Sequence, residues 1–153
     1  MNITSDFIKF LMQAALEQAR QAEEQNEVPV GAVIACRDKI IARAHNEVEH
    51  LSQATRHAEI LAIERASKIT NDWRLTDCVL CVTLEPCVMC LGAIKLARVP
   101  TVVFGASDQR MGACGSLFDL TTDSRIGPVP RIISGVEEVK CSEILKNFFQ
   151  KRR

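Results

Sequence analysis

The segment Cys78-Val-Leu-Cys-Val-Thr-Leu-Glu-Pro-Cys-Val-Met-Cys90 contains the transition that decides the fold. Its first seven residues are mostly apolar and partly β-branched, which is typical of a buried strand. Pro86 keeps Glu85 extended and itself suits the first turn of a helix. A helix over residues 87–96 is therefore predicted directly after the strand, with a sharp corner between them.

Apolar spacing extends this pattern along the chain. Helical spacing predicts helices over residues 57–68, from about 142 onward, and over 5–25 with Ser5 as the N-cap. Other apolar runs predict a hairpin of strands at 28–36 and 40–44, then strands at 78–84, 101–104 and 131–136, with loops at 46–56 and 105–115. The expected fold class is α/β, with a mixed sheet of about five strands and helices on both faces.

Composition sets the broad class of the protein. The 153 residues suit one domain over 1–153, and 47% hydrophobic with 25% charged residues is ordinary for a globular chain. No apolar run approaches the roughly 20 residues that span a bilayer, and no signal peptide is recognisable, so a cytoplasmic protein without a membrane partner is expected. The net charge is zero, so any nucleic-acid partner would have to bind a local patch.

A metal site is predicted from His57, Cys87 and Cys90. Cysteines three positions apart on a helix share one face and can bind the same zinc ion, and the helix N-terminus favours their thiolate forms. At the start of its own helix His57 can reach past the helix end, with Glu59 approaching from inside the first turn. Three protein ligands leave the fourth position to water, whose pKa zinc lowers to about 7.

The two helix starts are expected to meet at the carboxyl edge of one parallel strand pair, where such sheets usually place ligands. Three protein ligands with an open position are typical of a catalytic zinc site and not of a structural one.

The remaining cysteines allow a structural alternative. Cys78 and Cys81 form a second C-x-x-C, which raises the possibility of a four-cysteine zinc site. Positions 78 and 81 face opposite sides of a strand, however, and Cys81 is much closer to Cys87 than the usual spacing of about 15–20 residues. We therefore expect a reducing compartment without disulfides, and small buried thiols at the structural positions: Cys36, Cys78, Cys81 and Cys141. Cys114 has no assigned role.

Several motifs together carry a family resemblance. His57-Ala58-Glu59 followed by Pro86-Cys87-Val88-Met89-Cys90 matches the H-x-E…P-C-x-x-C signature of the zinc deaminases. The other matching segments, in order, are Val28-Pro29-Val30-Gly31-Ala32-Val33, Asn46, Thr83-Leu84-Glu85, Val103-Phe104-Gly105-Ala106, Gly112-Ala113-Cys114-Gly115-Ser116-Leu117 and Phe148-Phe149. Nearly end to end, the chain resembles the bacterial tRNA-specific adenosine deaminase family.

The resemblance implies a cytidine-deaminase-like three-layer α/β/α fold, a homodimer, one zinc per subunit and no organic cofactor. The implied substrate is the wobble adenosine in a tRNA anticodon stem-loop, in bacteria typically that of an arginine tRNA, and the product is inosine. Hydroxide on zinc would attack C6 of adenine, while Glu59 takes the proton of the water, delivers it to N1 and then protonates the departing amino group.

The same resemblance suggests contacts to the RNA. Asn46 should hydrogen-bond the base and Asp108 should lie near the sugar, although the first is also an ordinary turn residue and the second an ordinary loop charge. Phe149 and Arg152 belong to a basic, partly aromatic C-terminal patch with Lys146, Lys151 and Arg153, which predicts RNA affinity that falls with salt. Arg56 stands where the family often has a small residue; it could contact RNA or point to solvent.

Three other functions fit parts of the pattern. A deaminase of free guanine or cytidine has the same zinc motif, but the Gly112–Leu117 segment and the Phe-Phe ending with its basic tail favour tRNA. A zinc-stabilised RNA-binding module would have no need for Glu59. A redox protein using a C-x-x-C pair would show reactive thiols in place of stoichiometric zinc.

Overall fold

A five-stranded mixed sheet forms the centre of the computed structural model, which describes residues 2–152. The spatial order is β2-β1-β3-β4-β5, with β1 antiparallel to both of its neighbours and β3, β4 and β5 mutually parallel. The strands are β1 Gly31–Cys36, β2 Lys39–His45, β3 Cys78–Leu84, β4 Thr101–Ala106 and β5 Arg131–Ile133. The sheet confirms the predicted class and strand number.

Helices cover both faces of the sheet, as predicted. Alternate residues of β3 face opposite cores: Leu80 and Val82 pack towards α3 and α4, whereas Val79 and Cys81 pack towards α1 and α5. The helices are α1 Ser5–Glu24, α2 Val48–Leu51, α3 Ala58–Thr70, α4 Val88–Leu96 and α5 Glu138–Lys151. No helix within residues 2–152 is long and apolar enough to cross a membrane.

The helices differ from the predicted ones in three places. The N-cap of α1 is Thr4, one residue before the predicted Ser5, because the Thr4 hydroxyl accepts the N–H of Phe7 at 3.1 Å. α5 begins four residues before the predicted position 142. The predicted loop at 46–56 contains the short helix α2, whose Glu49 and His50 N–H groups donate to the carboxylate of Glu27.

The predicted adjacency of the two site-bearing strands is wrong. β2 and β3 run in the same direction, but β1 lies between them and is antiparallel to each. The reason is that β1 pairs with β2 on one side and with β3 on the other. The hairpin therefore places β2 at the edge of the sheet, and β1 has hydrogen-bonding neighbours on both sides. The carboxyl ends of β2, β3 and β4 nevertheless share one edge, and the functional side chains gather there.

The expectation of no disulfides is also wrong. A disulfide joins Cys36, the last residue of β1, to Cys78, the first residue of β3. These two residues are register partners in the antiparallel pair, with Cα atoms 4.1 Å apart, which is a pairing that spacing in the sequence does not reveal. Cys81 and Cys141 are buried free thiols, as predicted.

Candidate active site

The three predicted metal ligands converge at the starts of α3 and α4. His57 and Cys87 are the N-caps of these helices and have extended backbones, so their side chains point past the helix ends, and Cys90 lies in the first turn of α4. His57 Nδ1 is 3.6 Å from Cys87 Sγ and 3.5 Å from Cys90 Sγ. Donor atoms on a tetrahedral zinc are separated by about 3.5 Å, given its usual Zn–N and Zn–S bond lengths. The trio therefore fits a zinc ion.

The thiols and the imidazole influence one another strongly. A hydrogen bond from Cys90, more than any other contact, lowers the pKa of Cys87 to about 4. A hydrogen bond with Cys87 raises the pKa of His57. Cys87 is thus held as the thiolate, which is the form that binds metals, whereas the shared hydrogen bond and burial raise the pKa of Cys90.

Glu59 lies in the first turn of α3, almost completely buried beside the trio. Burial raises its pKa to about 7, against the opposing effects of a backbone hydrogen bond and of His57. A carboxyl group with such a pKa can both accept and give a proton at neutral pH, which suits a general acid–base.

A cavity of about 550 Å³ opens above these groups. His57, Glu59 and Cys87 line it together with two predicted substrate contacts, Asn46 and Asp108. Its volume is in the range of small-ligand sites and is sufficient for a nucleoside.

Asn46 and Asp108 are both held by the loops that carry them. Asn46 follows β2; its Nδ2 donates to the carbonyl of Val28 at 3.3 Å, and its Oδ1 accepts from Val48 N at 3.2 Å. Asp108 follows β4, and its Oδ1 accepts the N–H groups of Arg110 and Met111. Both side chains are thus held in place, and because β1 and β3 separate β2 from β4 in the sheet, they lie on opposite walls of the cavity.

The C-terminal patch separates into residues with different surroundings. Phe149 is about half exposed and lines the cavity. Arg152 lies outside the cavity lining: it donates to the carbonyl of Asn26 at 2.7 Å and its guanidinium covers the ring of Phe148 at 4.2 Å. Arg153 lies outside the described residues.

Arg56 neither lines the cavity nor points freely to solvent. Its Nε donates to Gln53 at 2.8 Å and its Nη1 forms an ion pair with Glu64 at 2.7 Å. It therefore connects the loop before His57 to the outer side of α3.

Two buried carboxylates of the site were not singled out from the sequence. Glu85 and Glu27 line the cavity with exposed fractions of 3% and 1%. The position of Glu85, immediately after a strand of the parallel part of the sheet, is a signal that could have identified it. Glu27 follows a polar helix end and carries no comparable signal.

Comparisons with known proteins agree with this geometry. The profile of the MafB19-like deaminase family matches residues 8–153. The tRNA-specific adenosine deaminase of Bacillus subtilis (strain 168) is 45% identical over 142 residues, which are 93% of this chain and 88% of that protein. A solved structure from studies of A-to-I editing by tRNA:A34 deaminases at the wobble position superposes with a TM-score of 0.86 and 39% identity, covering 89% of this chain and 99% of the other.

The fold is also shared with purine deaminases of another kind. Guanine deaminase from Nitrosomonas europaea superposes with a TM-score of 0.80 at 22% identity, over 92% of this chain and 83% of the other. At that identity the likeness concerns the fold alone.

Proposed function

Because this chain belongs to the MafB19-like deaminase family and, within it, to the tRNA-specific adenosine deaminases, we propose that it hydrolyses the wobble adenosine of a tRNA anticodon loop to inosine. We also propose that the tRNA is an arginine tRNA, as is typical of the bacterial family that the sequence motifs resemble. The observation that carries the proposal is the convergence of His57, Cys87 and Cys90 beside the buried Glu59 at the base of a nucleoside-sized cavity.

We propose that His57, Cys87 and Cys90 hold one zinc ion per subunit. Their donor atoms all lie within 4.8 Å of one another, and one nitrogen with two sulfurs is a donor set that zinc prefers. A zinc ion held there would act as a Lewis acid that lowers the pKa of water at the open coordination position.

Glu59 moves the protons of the reaction in this proposal. It accepts a proton from the attacking water and delivers it to N1 of adenine, while the water oxygen bonds to C6. It then takes the second proton of the water and passes it to the amino group at C6, and the C6–N bond breaks to release ammonia. Adenosine and water thus become inosine and ammonia, and Glu59 returns to its first state.

The walls of the cavity hold the nucleotide. As the family resemblance implies, Asn46 would hydrogen-bond the base and Asp108 would lie near the sugar; that both side chains line the cavity supports this assignment. Phe149 offers a ring on which a neighbouring base of the loop can stack. Arg152, whose guanidinium covers the ring of Phe148 at the end of α5, would bind a phosphate of the same RNA outside the cavity.

We further propose that the protein is a cytoplasmic homodimer. Four apolar side chains, each about half exposed, lie together beside the metal ligands: Val88, Met111, Leu117 and Phe118. An apolar cluster of this kind is typical of a protein–protein contact, and a second copy of the chain would cover it. Light scattering would test this: Leu117→Asp should shift the molar mass from that of a dimer to that of a monomer, with Leu96→Asp, on the outer side of α4, as the control.

The function is tested with an anticodon stem-loop that carries adenosine at the wobble position. We expect inosine from the stem-loop, none from Glu59→Ala, and zinc content and circular dichroism of Glu59→Ala close to those of the parent protein. Full activity of Glu59→Ala would overturn the mechanism. Free guanine and cytidine are the comparison substrates: turnover of either one without turnover of the stem-loop would identify a base or nucleoside deaminase instead.

A further inference from the structure

Glu85 occupies the corner between β3 and α4. Its N–H donates to the carbonyl of Ala106 at 2.8 Å, which extends the pairing of β3 with β4 by one residue. Pro86 then turns the chain into the helix that carries Cys87 and Cys90. The side chain of Glu85 is buried at 3% exposure and reaches across the end of β4 to the segment over residues 107–116, which we term the substrate loop.

The substrate loop surrounds the carboxylate of Glu85 with donors. Oε1 accepts the N–H of Asp108 at 3.1 Å and the hydroxyl of Ser116, whereas Oε2 accepts the N–H of Cys114 at 3.0 Å and the N–H of Ser116 at 3.1 Å. Four donors fill the accepting capacity of a carboxylate. Every one of them comes from the substrate loop, and within residues 2–152 no lysine or arginine forms an ion pair with Glu85.

The middle of the substrate loop rests against the same carboxylate. A Cβ atom at Gly112 would collide with the Glu85 carboxylate, so the loop backbone approaches it more closely than a larger residue permits. Gly112 forms a β-bridge with Cys87, and Ala113 N donates to the carbonyl of Pro86 at 2.9 Å. The substrate loop is thus fixed to the turn that also presents a metal ligand.

We propose that Glu85 is a positioning residue that sets the distance between Asp108 and the metal site. Its carboxylate oxygens are taken up by loop donors, so it acts through the backbone N–H of Asp108 and through the three donors at the other end of the loop. This inference rests on the proposed function, because it assigns to Asp108 a contact with the RNA substrate. Glu27 holds the opposite wall in a similar way, through Glu49 N at 3.0 Å and His50 N at 2.6 Å, and provides a matched comparison.

The test is a set of amide substitutions assayed with the wobble-adenosine stem-loop. Glu85→Gln keeps the shape of the side chain but turns an NH₂ group towards loop N–H donors. We expect it to raise KM roughly tenfold, since lost hydrogen bonds to a charged group weaken binding by that order, with kcat within about threefold. Zinc content should stay at one per chain.

A double-mutant cycle with Asp108→Asn separates positioning from general damage. Asn keeps the oxygen that caps Arg110 N and Met111 N but removes the charge. If Glu85 acts through Asp108, the KM of the double variant should be close to that of whichever single variant has the higher KM. Glu27→Gln on the opposite wall should instead combine multiplicatively with Asp108→Asn. Multiplicative effects for Glu85→Gln with Asp108→Asn would overturn the proposal.

Limited proteolysis, which needs no substrate, tests the role of Glu85 separately from the proposed reaction. Release of the substrate loop should increase trypsin cleavage after Arg110, which is exposed in that loop, at least about fivefold in Glu85→Gln and not in Glu27→Gln. Ser116→Ala removes one donor with little risk to folding and should give a smaller change in the same direction. Unchanged cleavage in Glu85→Gln and in Ser116→Ala would refute the positioning role. If the parent protein is inactive on the stem-loop but Glu85→Gln is cleaved faster, only the proposed function is refuted.

Discussion

His57 and Cys87 each stand one residue before the first turn of a helix, and this position explains why their side chains can reach the same metal ion. An N-cap residue has an extended backbone, so its side chain is free of the helix surface and can point along the axis beyond the end. The partial positive charge of a helix N-terminus also favours the thiolate of Cys87. The donor atoms thus converge although their helices pack side by side.

Replacement of single cysteines tests this arrangement. Cys90→Ala should lose stoichiometric zinc and at least about 100-fold in turnover, because two donors bind zinc far more weakly than three. Cys114→Ala should keep both, since Cys114 takes part in the site through its backbone N–H and not through its sulfur. Metal content by atomic absorption and inosine formation are the measurements. Zinc retained by Cys90→Ala would contradict the assignment of ligands.

Arg56 offers a second residue-scale prediction. Because its guanidinium is paired with Glu64 and Gln53, Arg56→Ala should change the free energy of unfolding by less than about 1 kcal/mol, as for other exposed ion pairs. RNA affinity measured across a salt series should keep the slope of the parent protein. A slope reduced by about one unit would show a phosphate contact instead.

At the scale of the elements, periodicity identified all five strands and the four long helices, because each buries an apolar face. It could not give the position of β1 between β2 and β3, since hairpin and strand signals describe each strand and its nearest turn but not its second neighbour. The grouping of His57, Cys87 and Cys90 could be predicted because it depends on spacing within helix starts. Glu27 could not be predicted, because a charged residue reveals its burial only through the loops that fold over it, whereas Glu85 could have been found from its place directly after a parallel strand.

The first helix tests the role of its cap. Thr4→Ala should lower the free energy of unfolding by about 1 kcal/mol, because the N–H of Phe7 loses its acceptor. Ser5→Ala, one residue later at an exposed helical position, should stay within about 0.5 kcal/mol of the parent. Urea unfolding followed by circular dichroism distinguishes the two. A larger effect at Ser5 would move the cap to that residue.

At the scale of the molecule, the disulfide and the candidate metal site lie at opposite ends of β3. Cys78 begins the strand and Leu84 ends it, about 20 Å away at the usual rise per residue. The bond closes a loop of 42 residues in sequence separation, so its reduction should lower the free energy of unfolding by about 2–4 kcal/mol. Turnover of the stem-loop should not change.

The comparison uses the oxidised parent, the reduced parent and Cys36→Ala with Cys78→Ala, each at the same zinc content. The double variant should unfold like the reduced parent and should not respond to reductant. A loss of activity on reduction, with zinc retained, would mean that the two ends of the sheet are coupled.

The proposed zinc ligands lie at helix starts and the proposed substrate contacts lie in the loops after β2 and β4, and this has a consequence for how such proteins diversify. Sequence drift in those loops can change what enters the cavity while the metal-binding turns keep their packing, since loop lengthening alters closure entropy by only about 0.6 kcal/mol per doubling. Glu27 and Glu85 limit this variation, because the loops donate backbone N–H groups to their carboxylates. A related protein with an altered loop needs either the same donors to the carboxylate or another residue in place of the glutamate. We therefore expect substitutions at Glu27 to occur together with changes at 49–50, and substitutions at Glu85 together with changes at 107–116.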